Sequence, residues 1–247
     1  MRIPRIYQAD SLSVGQEIQL DSQATVHVSR VLRLREGDAI VVFNGLGGEY
    51  HGIVCRLDKR ASTVRLQRYA EADAESPLKI VLAQGVSRGE RMDYTVQKAV
   101  ELGVHHIVPV ETERTVVNLN DARKDRRRQH WQTIVHSACE QSGRNFVPGV
   151  AEVKGLSPWL QQMQAQNSEN KFVLNHRTER GLGAVHVNGQ QPVYVLIGPE
   201  GGLSDREITQ AEQAGFISVR MGPRVLRTET AALAFVSVLQ SKWGDFA

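Results

Sequence analysis

Hydrophobic residues follow one pattern in the first part of the chain and another in the rest. In the first part, short runs rich in β-branched side chains alternate with glycine-rich or polar turns, which predicts short strands. Residues 24–34 differ, because Val28, Val31 and Leu32 have helical spacing. We therefore predict a small β-barrel with one short helix and with strands that include residues 39–43, 50–57 and 63–66.

From residue 79 onward, apolar runs alternate with segments of helical periodicity. Ser204 and Glu207 form a capping-box pattern, which is typical of a helix N-terminus. Strands that alternate with helices predict a mainly parallel sheet with helices on both faces. The predicted strands are residues 80–84, 106–110, 172–174, 193–197 and 216–221, and the predicted helices are 91–102, 121–142, 204–215 and 231 to about 243.

A polar, acidic segment at residues 69–77 separates the two patterns and ends in Pro77. Such segments are typical of boundaries between domains. The chain has 247 residues, which is enough for two modest domains. We predict a division into residues 1–72 and residues 73–247.

Composition narrows the class of protein. Hydrophobic residues make up 41% and charged residues 23%, as in globular proteins. No apolar run approaches the ~18 residues that span a bilayer. No apolar segment follows Arg2 and Arg5, so we predict a cytoplasmic protein without a secretory signal.

Cys55 and Cys139 stand alone and no histidine pair has metal-site spacing, so we predict no metal. The net charge of +3 permits a nucleic-acid partner.

Two loops in the second part follow apolar strands and precede helices. Residues 198–202 read GPEGG, and residues 221–233 read MGPRVLRTETAAL. In α/β sheets, ligands bind where strands end and helices begin. Glycines let a flat ligand approach the backbone closely, and a helix N-terminus, which Thr228 can cap, suits an anionic group. The alternative is a pair of tight turns with solvated arginines. The occurrence of both loops favours a ligand site.

Two common nucleotide-binding motifs are absent from the sequence. Gly45 and Gly47 lack the third glycine of G-x-G-x-x-G, because position 50 is Tyr50, and no G-x-x-x-x-G-K-[ST] occurs. A Rossmann methyltransferase and a P-loop NTPase are therefore disfavoured.

Four segments resemble a single family: MRIPRIY at 1–7, SRGERMDYTVQKAVELGV at 87–104, GPEGG at 198–202 and GPRVLRTETA at 222–231. They resemble the SPOUT methyltransferases, and within them the bacterial enzymes that methylate N3 of a uridine in 16S rRNA of the small ribosomal subunit. The resemblance implies a SPOUT-type, trefoil-knotted α/β domain that binds S-adenosylmethionine. It also implies a PUA-like β-barrel that docks RNA, and a homodimer.

By this resemblance the cofactor site lies in the loops that follow three of the strands. His176 is equally well interpreted as an ordinary loop histidine. The predicted cofactor-binding residues are Leu174, His176, Ile197, Gly198, Pro199, Glu200, Gly201, Gly202, Met221, Gly222, Val225, Leu226, Arg227, Thr228, Thr230 and Ala231.

The implied reaction needs a particular set of catalytic groups. N3 of uracil is a poor nucleophile until it loses its proton, so the enzyme must favour the uracil anion. Arg227 is our candidate to stabilise the developing charge, with Arg224 in reserve. Glu229 is the candidate proton acceptor, and Glu200 is a weaker one. Glu229 is equally consistent with a carboxylate that is favoured near a helix N-terminus.

Arginines supply the candidate RNA contacts, because phosphates are bound by positive side chains. A merely solvated face is the alternative, and Arg114 with the basic run at 123–128 forms a second candidate surface. The predicted RNA-binding residues are Arg2, Arg5, Arg30, Arg33 and Arg88.

Two other functions remain open. One is a SPOUT enzyme that methylates a ribose 2′-OH, and the other is a non-catalytic RNA-binding factor of ribosome assembly. The intact loops argue against the second of these.

The final helix carries a broad apolar surface formed by Ala231, Ala232, Leu233, Phe235, Val236 and Leu239. We predict that part of it packs against a second subunit, and burial on its own sheet is the alternative.

Overall fold

A computed structural model describes residues 3–58, 61–72, 74–116 and 121–246, which fall into two compact units. The first unit comprises the residues up to Glu75 together with His136–Val147, and the second comprises Ser76–Val135 and the residues from Pro148 onward. The division after Glu75 lies close to the predicted boundary. The sequence pattern does not indicate that a segment after residue 135 belongs with the first unit.

Strands and helices alternate over most of the described chain. The strands are β1 Arg5–Tyr7, β2 Glu17–Gln19, β3 Ala39–Phe43, β4 Glu49–Arg56, β5 Thr63–Ala70, β6 Ile80–Gly85, β7 His106–Glu111, β8 Gly149–Val150, β9 Lys154–Gly155, β10 Lys171–Leu174, β11 Val193–Ile197 and β12 Ile217–Val219. The α-helices are α1 Ser22–Val26, α2 Glu90–Glu101, α3 Asp121–Ser142, α4 Leu156–Gln164, α5 Asp205–Gln213 and α6 Thr228–Trp243.

The first unit is built on a mixed sheet in the order β1-β3-β4-β5-β2, in which only the β1–β3 pair is parallel. Its core contains Ile6, Val42, Val54 and Leu66, one from each of four strands. The predicted helix at 24–34 begins earlier, at α1, where Asp21 caps the N-terminus, and it ends in a π-helical turn at His27–Val31. This unit fits the expected small PUA-like barrel.

The second unit contains a parallel sheet in the order β12-β10-β11-β6-β7-β8, with β9 also paired to β7. Successive side chains of β10 point to opposite faces, as in any strand. Phe172 packs edge-on against Phe235 of α6, whereas Val173 belongs to the core cluster formed with α4 and α5. Helices therefore cover both faces of the sheet, as predicted.

Helix α4 was not among the predicted elements, although its buried residues carry a helical signal. Leu156, Trp159, Leu160 and Met163 are spaced i, i+3, i+4 and i+7, and all four are buried. Pro158 lies in the first turn, where a missing backbone N–H costs nothing. The spacing of these apolar residues was therefore sufficient to predict α4 from the sequence.

Lys171 of β10 is a buried cation that joins two helix C-termini. Lys171 is 4% exposed. Its Nζ donates to the carbonyl oxygens of Met163 (2.6 Å) in the last turn of α4, of Gln166 (2.9 Å) just after α4, and of Ala214 (3.4 Å) at the end of α5. Burial lowers the pKa of the Lys171 ammonium. The three carbonyl oxygens, at the negative ends of two helices, favour the charged form.

Lys171→Met is expected to destabilise the protein, because it leaves buried carbonyl groups without a donor. The free energy of unfolding should fall by about 3 kcal/mol, as for other buried hydrogen bonds to charged groups. Urea denaturation measures the loss. Lys79→Met, at an exposed lysine in the same unit, is the control and should change stability by no more than ~0.5 kcal/mol. Equal effects of the two substitutions would contradict a capping role for Lys171.

Candidate active site

A cavity of about 540 Å³ lies in the second unit where β10, β11 and β12 end and α6 begins. Its volume is in the range of small-molecule sites. The three loops predicted from the sequence all contribute to its wall, so the structure brings them together.

Most of the predicted cofactor residues line this cavity. They are Leu174, His176, Ile197, Gly198, Pro199, Glu200, Gly201, Gly202, Met221, Val225, Leu226, Arg227, Thr228 and Ala231, and the catalytic candidates Arg224 and Glu229 join them. Gly222 and Thr230 do not line it, and both are exposed. The cavity wall also contains Arg91, Arg114, Asn175, Arg177, Leu203, Ile208, Val219 and Arg220.

The loop at 198–202 is packed against its own backbone. A Cβ on Gly198 would lie 2.9 Å from the carbonyl carbon of Gly202 and from the nitrogen of Leu203, which a real side chain does not tolerate. Gly202 has φ +68°, a left-handed conformation that favours glycine, and its N–H donates to the Pro199 carbonyl at 2.8 Å. Two of the three glycines are therefore required by the shape of the loop itself.

Gly201 also lines the cavity, and it lies against the side chain of Arg114. A Cβ at Gly201 would lie 3.0 Å from Cβ of Arg114. Arg114 Nη1 donates to the Gly201 carbonyl oxygen at 2.9 Å. The glycine thus admits the Arg114 side chain, which holds the loop.

Glu200 is engaged by the segment at the start of α2. Its Oε1 accepts from the backbone N–H of Arg88 at 2.9 Å and from Nη1 of Arg91 at 3.3 Å. A carboxylate with these partners is poorly placed to accept a substrate proton. The structure therefore disfavours Glu200, the weaker candidate, as the proton acceptor.

Helix α6 begins differently from the expected threonine cap. Arg227 is the N-cap residue, with an extended backbone and no side-chain hydrogen bond to the first turn. Thr228 is buried, and its hydroxyl donates to the Gly198 carbonyl at 2.6 Å and accepts from Nε2 of Gln84 at 2.8 Å. The first N–H groups of α6 are therefore left without a side-chain cap beside the cavity, where they can bind an anionic group.

Charged groups around the cavity fall into two kinds. Arg177 pairs with Asp205, and Arg91 pairs with Glu200. The side chains of Arg224 and Arg227 are exposed on the cavity wall. Within the described residues, Oε2 of Glu229 is buried without a hydrogen-bond partner. The wall thus offers guanidinium groups that can stabilise an anion and a carboxylate oxygen that can accept a proton.

The predicted RNA-binding arginines lie in different environments. Arg30 and Arg33 are exposed in the first unit, and Arg33 has φ +53°, which is uncommon for a residue with a side chain. Arg88 is exposed in the second unit. Arg2 lies outside the described residues.

Arg5 was also predicted to bind RNA, and the structure does not support this role. Its side chain is 8% exposed and forms an ion pair with Glu49 and a hydrogen bond with Asn145, while its guanidinium lies 4.9 Å from the centre of the Phe43 ring. A guanidinium with these partners is not available to a phosphate. Arg5 is therefore not expected to contact RNA.

Comparisons with known proteins place this geometry in a family. Residues 74–240 match the RNA methyltransferase domain family, and residues 20–67 match the RNA methyltransferase PUA domain family. The ribosomal RNA small subunit methyltransferase E of Buchnera aphidicola (subsp. Schizaphis graminum) is 34% identical over 248 residues, which cover 100% of this chain and 99% of the relative. The chain belongs to the ribosomal RNA small subunit methyltransferase E family.

Two solved structures agree with this assignment. A ribosomal RNA small subunit methyltransferase E from Neisseria gonorrhoeae, crystallised with S-adenosylmethionine, is 40% identical with a TM-score of 0.90 and covers 100% of both chains. A methyltransferase from Legionella pneumophila with bound S-adenosylmethionine is 38% identical with a TM-score of 0.94 and covers 99% of this chain and 100% of the other. Membership of the methyltransferase E family confirms the SPOUT-type parallel domain and the PUA-like unit. The trefoil knot stays an implication of that family.

Two residues that contact the loops of the cavity were not identified from the sequence. Gln84 and Gly85 end β6, and they read as ordinary members of an apolar strand. Gln84 could have been identified as a polar residue near the end of a buried strand, because ligands bind at strand ends in α/β sheets.

The described residues show neither a metal-binding cluster nor a membrane-spanning helix. They contain no group of three or more His, Cys, Asp or Glu side chains that could hold a metal ion. No helix among them is long and apolar enough to cross a bilayer.

Proposed function

We propose that this chain transfers a methyl group from S-adenosylmethionine to N3 of a specific uridine in 16S rRNA. The observation that carries the proposal is the cavity in which the loops at 198–202 and 221–227 meet the uncapped N-terminus of α6. Relatives similar over their whole length are named ribosomal RNA small subunit methyltransferase E, and similar structures contain the cofactor.

The residues of the cavity fit S-adenosylmethionine. Apolar side chains of Leu174, Ile197 and Leu226 on the wall suit a flat adenine ring, and the free N–H groups of α6 suit a carboxylate. The cofactor supplies a methyl group bonded to a positively charged sulfur.

The protein's task is to prepare and align the acceptor. Glu229 Oε2 has no partner within the described residues, so it can take the proton of N3, directly or through a water. Arg227 stabilises the negative charge that this leaves on the uracil, with Arg224 as the reserve. N3 then forms its bond to the methyl carbon as the carbon–sulfur bond breaks and sulfur takes the electron pair. Alignment of N3 with the methyl group supplies much of the acceleration.

Analysis of the product tests the reaction. Small subunits from cells that lack this gene are incubated with the purified protein and S-adenosylmethionine, and the rRNA is digested to nucleosides. We expect 3-methyluridine. A ribose-methylated nucleoside would indicate the 2′-O reaction instead, and cofactor binding without any methylated product would indicate a non-catalytic assembly factor.

We propose that Arg30 and Arg33 contribute to RNA docking, since both are exposed in the PUA-like unit. Changing both to Glu should weaken RNA binding and reduce the slope of log K against log salt by about one per lost contact. Cofactor affinity should not change, because the cavity is formed by residues of the other unit.

Filter binding at several salt concentrations measures both quantities. The control is the double change of Arg56 and Arg65 to Glu, because these exposed arginines already pair with Asp58 and Glu17 in the same unit. An equal loss of RNA binding in the control would contradict a specific role for Arg30 and Arg33.

We also propose that the protein is a homodimer, although most of the surface predicted for this contact is used elsewhere. Ala232, Phe235, Val236 and Leu239 are buried within their own unit, which was the alternative interpretation. The half-buried Ala231, Ala234 and Val238, spaced i, i+3 and i+7, form a narrower apolar stripe that supports the proposal. Light scattering should give twice the chain mass, and a monomer mass at working concentration would exclude the dimer.

A further inference from the structure

A buried amide lies behind the cavity and has no part in the function described so far. Gln84 of β6 is 0% exposed. Its Nε2 donates to Oγ1 of Thr228 at 2.8 Å and to the carbonyl oxygen of Gly85 at 3.3 Å. The Thr228 hydroxyl in turn donates to the carbonyl oxygen of Gly198 at 2.6 Å. The three groups therefore form a chain from β6 through α6 to the loop at 198–202.

The direction of this chain of hydrogen bonds is fixed by the number of hydrogens that each group carries. A hydroxyl group has one hydrogen, and a carbonyl oxygen can only accept, so the Thr228 hydrogen must lie toward Gly198. Thr228 can then only accept from Gln84, which must present its NH₂ group. Within the described residues, Oε1 of Gln84 is buried without a hydrogen-bond partner, although an unpaired buried acceptor destabilises a fold. The amide is thus kept in an orientation that leaves one of its own atoms unsatisfied.

This chain of hydrogen bonds joins two of the three loops that form the cavity wall. Gly198 begins the first loop, and Thr228 is the first residue of α6, directly after the second. Gly85 adds to this arrangement, because a Cβ there would lie 2.6 Å from Cδ of Pro199 and 2.8 Å from the carbonyl carbon of Gly198. The end of β6 is therefore in direct contact with the first loop.

These contacts also change the role of Thr228. Its only hydroxyl hydrogen is used within the protein, so the side chain has no hydrogen to donate to a cofactor. Its effect on binding must come mainly from the position that it gives to Gly198 and to the first turn of α6.

We propose that Gln84 is a positioning residue for the cofactor site. By donating to Thr228, it holds the Thr228 hydroxyl on the Gly198 carbonyl and so fixes the separation of the two loops that bind S-adenosylmethionine. The inference rests on the proposed function, since it assumes that the cofactor binds in this cavity.

The first test compares two buried glutamines. Gln84→Met keeps the length of the side chain but removes the donor, and calorimetry should show at least ~10-fold weaker S-adenosylmethionine binding, which corresponds to the loss of one hydrogen bond. Gln240→Met is the control, because Gln240 is also 0% exposed, lies at the other end of α6, and uses its amide to bind the Leu102 carbonyl and the Ser76 hydroxyl. The control should lose stability but keep its affinity within ~3-fold.

Gln84→Glu provides a second test that does not depend on the methionine variant folding. A carboxylate cannot donate, whereas the protonated acid can, and burial raises the pKa of such a group. Cofactor affinity of this variant should therefore fall as pH rises from 6 to 9, relative to the unsubstituted protein at each pH.

The outcomes separate the inference from the proposed function. If the unsubstituted protein does not bind S-adenosylmethionine, the proposed function fails. If it binds but Gln84→Met and Gln84→Glu bind equally well at every pH, or if Gln240→Met loses as much affinity as Gln84→Met, the positioning role is overturned.

Discussion

Arg227→Ala is expected to lower the rate of methyl transfer at least ~10²-fold while the protein still binds S-adenosylmethionine. Losing one preorganised group that stabilises charge in a transition state has an effect of this size. Arg227 lies on the cavity wall directly before α6, and its side chain is exposed. Its guanidinium is thus available to the uracil anion, whose charge must be balanced as N3 loses its proton.

Single-turnover assays at saturating cofactor separate this effect from a loss of binding. Arg206→Ala is the control, because Arg206 is an exposed arginine of the same unit that pairs with Glu113 outside the cavity wall. A full rate for Arg227→Ala together with a large loss for Arg224→Ala would transfer the role to the reserve residue.

The sequence pattern predicts local structure well and the arrangement of strands poorly. The capping box of Ser204 and Glu207 is present in both of its halves, because it depends on residues three positions apart. The order β12-β10-β11-β6-β7-β8 depends on contacts between distant parts of the chain, which periodicity does not record. The loops of the site were nevertheless predicted together, because strand ends in a parallel sheet share one edge.

Individual side chains at the site were predicted less well, because their roles depend on partners far away in sequence. Arg5 is of a residue type that often contacts RNA, but it pairs with Glu49. Glu200 lies in a predicted loop but is held by Arg88 and Arg91. Gln84 is a single polar residue in an apolar strand, and only the structure connects it with Thr228. Residue type and local pattern identify the site, whereas the partners decide what each side chain can do.

Glu229→Gln is expected to lower the methylation rate at neutral pH by about 10²-fold or more, the usual contribution of a general base. Glutamine preserves the shape of the side chain but has no carboxylate to take the proton of N3. As the pH rises, solvent removes more of that proton, so the rate of the variant should recover in part. The rate of the unsubstituted enzyme should rise less over the same range.

The competing interpretation is that Glu229 only stabilises the first turn of α6, in which it is the acidic residue. That role would contribute about 0.3–1 kcal/mol to stability and would give no recovery with pH. Glu90→Gln tests this directly, because Glu90 is an acidic residue in the first turn of α2 and does not line the cavity. If pH–rate profiles show the same small loss for both variants and no recovery for Glu229→Gln, then Glu229 has only the structural role. A large loss with recovery at high pH, confined to Glu229→Gln, would identify its carboxylate as the group that accepts the N3 proton.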